Sequence, residues 1–497
     1  MRSILGHIAI TAAVAFLMVA GAHAQIAFTD ITEEAGIALT EWLTESVAWG
    51  DYDNDGDEDL YLTVDGPNHL FRNDGGGRFT DVTDTAGVGN EGFSVGTAFG
   101  DLDDDGDLDL YVVNFSGGLD VLYRNDGPVG PGGAYRFTDI TRNAGTNVER
   151  SSRGMAFVDY DRDGLLDIFV LAIGPNILYR NLGGLRFKNV AGSLGVDQDD
   201  QGVGVVAADI NDDGWPDLFT GNRSNEFSNL FLNRGGAFED VAVEAGITSR
   251  GLGMGVAAFD ADNDLDMDLY WTTWPEVANA LYENRRGVQF ENVAVASGTD
   301  DPLGWGISCN AGDVDLDGRL DFFVTNGFSD SSGPNALFRN LGNNTFSDIT
   351  DVLGGGAFDG RGVAFADFDN DGDLDLVVTA DMNEPNRLWR NDSPTGHHWL
   401  GLRLLGTRSN ASAIGARVVV TTSEGSYVQE VSGGAGRGSQ NSLPLEFGLG
   451  TAAVIEGLTI RWPSGTVQTR RNLAVDRYLT ITEPAGTVRR PGGRRVP

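Results

Sequence analysis

Short apolar runs cut off by glycine, proline or aspartate recur from Phe28 to Asn391, and none has the length or the 3.6-residue period of an amphipathic helix. The first cycle sets the grammar. Ser46 to Trp49 is a short apolar strand, and Asp51 to Asp59 is a polar, turn-rich loop. Leu60-Tyr61-Leu62-Thr63-Val64 is a β-branched and aromatic run, and Gly66-Pro67 is a turn. Leu70-Phe71-Arg72-Asn73 is a third strand ending in a turn residue, and Phe79-Thr80-Asp81-Val82 is a fourth. Four short antiparallel strands in about fifty residues make one propeller blade.

The third-strand phrase returns at Leu122–Asn125, Leu178–Asn181, Leu230–Asn233, Leu281–Asn284, Leu337–Asn340 and Leu388–Asn391. The fourth-strand phrase follows the first six copies, the last at Phe346-Ser347-Asp348-Ile349. It is missing after Asn391, and its seventh copy stands at the other end of the repeat region, Phe28-Thr29-Asp30-Ile31. A ring in which the N-terminal strand completes the last blade explains both facts and leaves no open sheet edge. The expected fold is all-β: a seven-bladed β-propeller over residues 25–395, followed by a small β-rich domain over 396–484.

The polar loop is the most regular part of each repeat. It begins at Asp51, Asp101, Asp159, Asp209, Asp260, Asp313 and Asp367, with gaps of 50, 58, 50, 51, 53 and 54 residues. Positions one, three, five and nine carry Asp51, Asp53, Asp55 and Asp59, then Asp101, Asp103, Asp105 and Asp109, then Asp159, Asp161, Asp163 and Asp167. The fourth loop has Asp209, Asn211, Asp213 and Asp217, and the fifth Asp260, Asp262, Asp264 and Asp268. The last two have Asp313, Asp315, Asp317 and Asp321, and Asp367, Asp369, Asp371 and Asp375. Side chains at one, three and five converge on a point if the backbone wraps around it, and a glycine at six permits the sharp turn. That turn offers the carbonyl at seven and a final carboxylate at nine. Hard oxygen ligands on a tight loop suit Ca²⁺, and the pattern matches the first half of an EF-hand loop. Polar turns in which each aspartate caps its own backbone are the plainer reading of one such loop. Seven in register favour metal, as structural rivets. Two loops depart: Asn211 keeps an oxygen and loses a charge, and Leu265 stands where glycine belongs, with Asp266 beside it as a possible compensation.

Charge changes the picture of partners. The formal net charge is −39, which argues against nucleic acid. One Ca²⁺ in each of seven loops would bring it to −25, so the acidity is read as metal-site charge. The single cysteine, Cys309, allows no intrachain disulfide and reads as core, leaving bound metal as a source of stability. Residues 1–24 read as a secretory signal: Arg2, an apolar stretch from Ile4 to Ala20, and Ala22-His23-Ala24 before Gln25. No other segment is long enough to cross a bilayer as a helix. A secreted, extracellular or periplasmic monomer is expected, with residues 485–497 as a disordered basic tail.

Other chemistry is sparse. Gly92-Phe93-Ser94-Val95-Gly96 spells the hydrolase nucleophile elbow, which needs a strand–turn–helix context. Here it leads into an inner strand. The positions seven before the other loops are Thr44, Ser152, Gly202, Gly253, Gly306 and Gly360, which suggests small-residue packing near a crowded axis. His69, His397 and His398 lack companions for a transition-metal site and read as surface residues. The loops between second and third strands would lie on the face opposite the aspartate loops. They carry Phe115, Phe227, Trp274 and Phe328, with Arg223 alongside, and suit either ligand contact or local packing.

These residues resemble the FG-GAP/VCBS repeats of integrin α-chains, with Trp49-Gly50 and Phe99-Gly100 before the loops as the FG part. The C-terminal segment resembles the ASPIC/UnbV domain through Ile414-Gly415-Ala416, Gly433–Gln440, Phe447-Gly448-Leu449-Gly450 and Trp462-Pro463-Ser464-Gly465. The order is similar to that of the cartilage acidic protein family and its bacterial relatives. Animal members carry a cysteine-rich EGF-like module that one cysteine cannot supply, so the chain looks like a bacterial-type member. The resemblance implies up to seven structural Ca²⁺ ions, held by the carboxylates named above and by the main-chain carbonyls of Asp57, Asp107, Leu165, Trp215, Asp266, Arg319 and Asp373. The function expected is non-enzymatic binding or adhesion to an extracellular protein or carbohydrate. The alternative is a propeller-type polysaccharide lyase or hydrolase, although no acid/base constellation stands out beyond the metal carboxylates.

Overall fold

The computed structural model describes residues 26–485 apart from 117, 131–132, 200, 224–226, 275–276, 329–332 and 356. The expected signal segment and the arginine-rich tail from Arg489 lie outside the described residues.

Among the described residues, seven four-stranded antiparallel sheets follow one another in chain order. The first blade is Thr44–Gly50, Asp59–Val64, His69–Asn73 and Phe79–Asp81. The seventh is Gly360–Ala366, Asp375–Ala380 and Arg387–Asn391, completed by Phe28–Asp30 pairing antiparallel to Arg387–Asn391. Each inner strand packs on the inner strand of the next blade, and that of the seventh packs on that of the first, so the ring closes. Burial follows from this packing. Inner and second strands are covered on both faces and buried along their length, polar residues such as Glu45 and Asp59 included, whereas the outermost strands of three residues keep exposed positions.

One local feature departs from the sequence reading. The fourth strand ends at Asp81 rather than Val82, because the Asp81 carboxylate accepts from the Thr83 amide (3.0 Å) and hydroxyl (2.6 Å). This Asx turn starts a one-turn helix, Thr83–Ala86, closed by left-handed Gly87. The same device follows Asp30, Asp139 and Asp348.

Beyond the ring lie two further sheets. One orders Leu445–Gly448, Trp399–Leu405 and Arg477–Thr482, and the other orders Ser426–Glu430, Arg417–Thr421, Val454–Arg461 and Val467–Ala474. Leu400, Leu402 and Trp462 join the apolar core of blades two and three, so the C-terminal sheets sit directly on the ring.

Candidate functional site

Each aspartate loop is built by its own carboxylates. At position one, Asp51 accepts from the amides of Asp55 (3.0 Å) and Gly56 (3.0 Å). At position five, Asp55 accepts from the amide of Asp57 (3.0 Å). At position nine, Asp59 accepts from the amides of Tyr52 (3.2 Å) and Asn73 (2.8 Å). The same bonds recur in the loop at Asp367, from Asp371, Gly372, Asp373, Phe368 and Asn391. The self-capping expected of polar turns is therefore present, and each carboxylate oxygen has a lone pair to spare.

Position three decides between a capped turn and a cation site. Asp53, Asp103, Asp161, Asp315 and Asp369 each present a buried carboxylate oxygen without any hydrogen-bond partner. A buried, unmatched acceptor is costly unless something fills it. The oxygens of Asp51, Asp53 and Asp59 lie within 4.8 Å of one another, as do those of Asp159, Asp161 and Asp167, and those of Asp313, Asp315 and Asp321. Such groups fit a hard divalent cation. Burial, then the neighbouring carboxylates, push Asp53 and Asp369 up to about 6. Burial lifts Asp101, Asp159, Asp260 and Asp367 to about 7. The position-nine carboxyls, led by burial, stand well above the ordinary range. In the seventh loop Asp373 reaches about 9 through burial and three acidic neighbours, and one of its oxygens is also unmatched. The sequence reading had taken only its main-chain carbonyl.

The two irregular loops are those whose third position is already occupied. The Asn211 carbonyl accepts from the amide of Asp213 (2.9 Å). Asp262 accepts from the amide of Asp264 (3.1 Å) and from Asn344 (3.3 Å), although it still groups with Asp260 and Asp268. Leu265 takes the left-handed conformation that glycine holds elsewhere, at φ +76°. Position four is also left-handed in every loop, at Asn54, Asp104, Arg162, Asp212, Asn263, Leu316 and Asn370. Five of these are Asn or Asp, the residues that tolerate αL best, and this was a signal available in the sequence.

The asparagine that ends each third strand does more than turn the chain. Its side-chain amide donates to the position-two carbonyl of the preceding blade's loop: Asn125 to Tyr52 (2.9 Å), Asn181 to Leu102 (2.8 Å), Asn233 to Tyr160 (2.8 Å) and Asn284 to Ile210 (3.1 Å). Asn340 reaches Ala261 (2.9 Å), Asn391 reaches Val314 (2.9 Å), and Asn73 closes the circle on Phe368 (2.8 Å). Since the same asparagine's amide binds the position-nine aspartate, every loop is tied to its own blade and to the next.

The C-terminal sheets cover the aspartate-loop face. Arg403 donates to Asp51 (3.4 Å) and to the Gly56 carbonyl (2.5 Å). Arg461 donates to Asp209 (2.5 Å) and Asp212 (2.5 Å), Tyr478 to Asp367 (2.7 Å), and Arg417 to the Leu265 carbonyl. From this cap, Val431–Ser442 descends into the axis of the ring. Phe157 donates to the Gly433 carbonyl (2.9 Å), Thr97 to that of Gly438 (2.9 Å), and the Gln440 amide to the Val47 carbonyl (2.9 Å). The Gln440 side chain accepts from the Phe99 amide (2.7 Å) and donates to its carbonyl (3.0 Å). The plug fits because both sides are stripped of side chains. A β-carbon on Gly433 would lie 2.3 Å from the Phe157 carbonyl oxygen, and one on Gly204 of the ring 2.5 Å from that of Gly436. Five residues before each loop stand Ser46, Gly96, Gly154, Gly204, Gly255, Ser308 and Gly362. This is the axial ring. It corrects the expectation placed on the positions seven before each loop, which pack between blades: a β-carbon on Gly202 would meet Leu171.

The remaining candidates are structural. Ser94 is buried, accepts from Asn68 (2.9 Å) and Asn90 (2.8 Å) and donates to Asn114 (2.9 Å), so it is held as a packing hydroxyl. His69 pairs with Asp81 (2.8 Å), His397 with the Asp315 carbonyl (2.7 Å) and His398 with Asp476 (2.8 Å). Cys309 is fully buried on an inner strand. On the far face the aromatics are packed with cations: Arg153 over Phe115 at 5.3 Å, Arg223 over Trp274 at 4.4 Å, Arg250 over Phe227 at 4.2 Å and Arg361 over Phe328 at 3.7 Å.

Comparison with known proteins agrees with this anatomy. The FG-GAP-like repeat matches residues 51–112, 101–170, 159–220, 209–271 and 313–378, and the ASPIC and UnbV family matches residues 406–488. Cartilage acidic protein 1 of Mus musculus is 29% identical over 346 residues, 64% of this chain and 53% of that protein. Its Homo sapiens counterpart is 28% identical over 359 residues, 67% of this chain and 53% of that protein. The chain thus spans about half the length of the curated relatives it matches. Among solved structures, the N-terminal part of BBS1 in complex with ARL6 aligns over 71% of this chain and 94% of its own, at 12% identity and a TM-score of 0.46.

Proposed function

Because this chain belongs to the FG-GAP-like repeat proteins and carries an ASPIC and UnbV region, we propose that it is an exported, calcium-loaded binding protein. In this reading residues 1–24 are removed on export, residues 25–395 form the propeller, and residues 396–484 form a cap over its aspartate loops. The observation that carries the calcium assignment is the unmatched buried oxygen at position three of five loops, each beside two or more further carboxylates. Ca²⁺ supplies the missing partner and offsets the mutual repulsion of four acids on nine residues. The ions act as rivets for loops tied to their neighbours by the asparagine ring, so their role is in the scaffold.

The binding role follows from what remains accessible. Cap and plug occupy the aspartate-loop face and the axis, which leaves the opposite face, with its variable loops, for an extracellular protein or carbohydrate. The test is a binding screen of the purified protein against glycans, matrix proteins and cell envelopes, in calcium and in EDTA. Calcium-dependent capture of one class supports the reading. Turnover of a polysaccharide without stable capture would replace it with an enzymatic one.

A further inference from the structure

The far-face mouth of the axis gathers positive charge in a chain with 73 acidic and 34 basic residues. The tip of the plug brings Arg437 there, 5.5 Å over Phe328 and paired with Glu45. Arg153 lies over Phe115, and the next residue, Gly154, packs against Gly438 of the plug, where a β-carbon would lie 3.7 Å from the Gly154 Cα. Arg223 lies over Trp274, which meets Phe328 edge-on at 5.1 Å and so joins the Arg223 and Arg437 pairs. Burial, and then the charges of Arg223 and Arg437, hold Arg153 down to about 10, so the three guanidinium groups lie within electrostatic reach of one another. Among the described residues, neither Arg153 nor Arg223 has a carboxylate within ion-pair distance, although acids outnumber bases by more than two to one. The Nε atoms of Arg153 and Arg437 are buried without a hydrogen-bond partner. Among the described residues Glu45 neutralises Arg437 alone, and half-buried cations such as Arg153 and Arg223 that lack a counter-charge are unfavourable on their own. Stacking on a ring uses the flat face of a guanidinium and leaves its in-plane N–H fork free for a planar or tetrahedral oxyanion.

We propose that Arg153, Arg223 and Arg437 form an oxyanion site for an acidic carbohydrate, taking the carboxylate of a uronic acid or a sulfate ester at the far-face mouth. Trp305, half-buried and 6.1 Å from Trp274, adds a second indole at the rim, the kind of amphipathic surface on which sugar rings stack. The site rests on the binding role proposed above and makes it specific. It also needs both parts of the chain, since Arg153 and Arg223 come from the ring and Arg437 from the plug.

Titration calorimetry of the full exported chain in calcium tests it, with inorganic sulfate, D-galacturonate, trigalacturonate and tetraglutamate as probes. Saturable binding of trigalacturonate or sulfate is expected, weakened at least tenfold in Arg223→Gln and in Arg153→Gln. It should be unchanged in Arg285→Gln, whose side chain pairs with Glu283 and Glu291 on blade five. Sulfate binding alone would identify a site for the free ion, and tighter binding of trigalacturonate one for the sugar-borne group. Absence of saturable binding, or binding indifferent to both Arg153→Gln and Arg223→Gln, overturns the site. Tetraglutamate binding as tight as trigalacturonate overturns the carbohydrate assignment. Melting curves in calcium check that each variant is folded. A failed titration with an intact calcium-dependent melt would remove this site and leave the calcium and binding roles standing.

Discussion

At the scale of single residues, the asparagine closing each third strand carries more structure than its place in a turn suggests. Asn125 uses its amide on Asp109 (2.9 Å), its side chain on the carbonyls of Tyr52 (2.9 Å) and Leu108 (3.2 Å), and its carbonyl oxygen on Gly127 (3.0 Å). Asn125→Ala would strand buried acceptors in two blades. A loss of about 1–3 kcal/mol is expected in chemical denaturation. Calcium stoichiometry should be unchanged, because the carboxylates of the loop remain. Asp315→Asn should do the reverse. One Asp315 carboxylate oxygen lacks any partner, the other is ion-paired with Arg339, and Asp313 and Asp321 flank them, so the change should remove one calcium from the count in equilibrium dialysis. An unaltered count would show that the sixth loop holds no ion.

At the scale of elements, the blades were readable and the plug was not. Alternation, turn residues and a repeated loop are local signals, and they placed the inner strand, the aspartate loop and the swapped N-terminal strand, Phe28–Asp30, within about two residues. The plug, Gly433–Gln440, has no period and no strand propensity. Its meaning lies in what it lacks, since side chains would collide with the ring, and only the three-dimensional axis reveals that. The fit gives a direct prediction. Gly433→Val drives a side chain into the Phe157 carbonyl and should unseat the plug while the blades persist. Limited proteolysis should then release the C-terminal sheets from an intact ring. Protection equal to the parent protein would mean that the plug is not what holds the cap. The same reasoning separates candidate sites that were legible from those that were not. Aspartates at fixed spacing announced themselves, whereas Arg153, Arg223 and Arg437 come together only through a ring and a plug far apart in the chain.

At the scale of the whole molecule, stability has an unusual division of labour. The chain has a single cysteine, and so no intrachain disulfide to draw on, and carries a net charge of −39, with many of its acids packed into seven loops where they sit half-buried beside one another. Folding keeps those acids close, and the cap adds Arg403, Arg417 and Arg461 on the same face. Cations bound to the native loops and not to the unfolded chain would stabilise the fold by mass action. The measurement that bears most directly on this account is the thermal melt of the purified protein in excess calcium and in EDTA. A melting temperature lowered by tens of degrees on chelation, and restored by calcium, is the predicted result. The same melting temperature in both conditions would contradict it, because loops with unmatched buried carboxylates would then be stable without the ion.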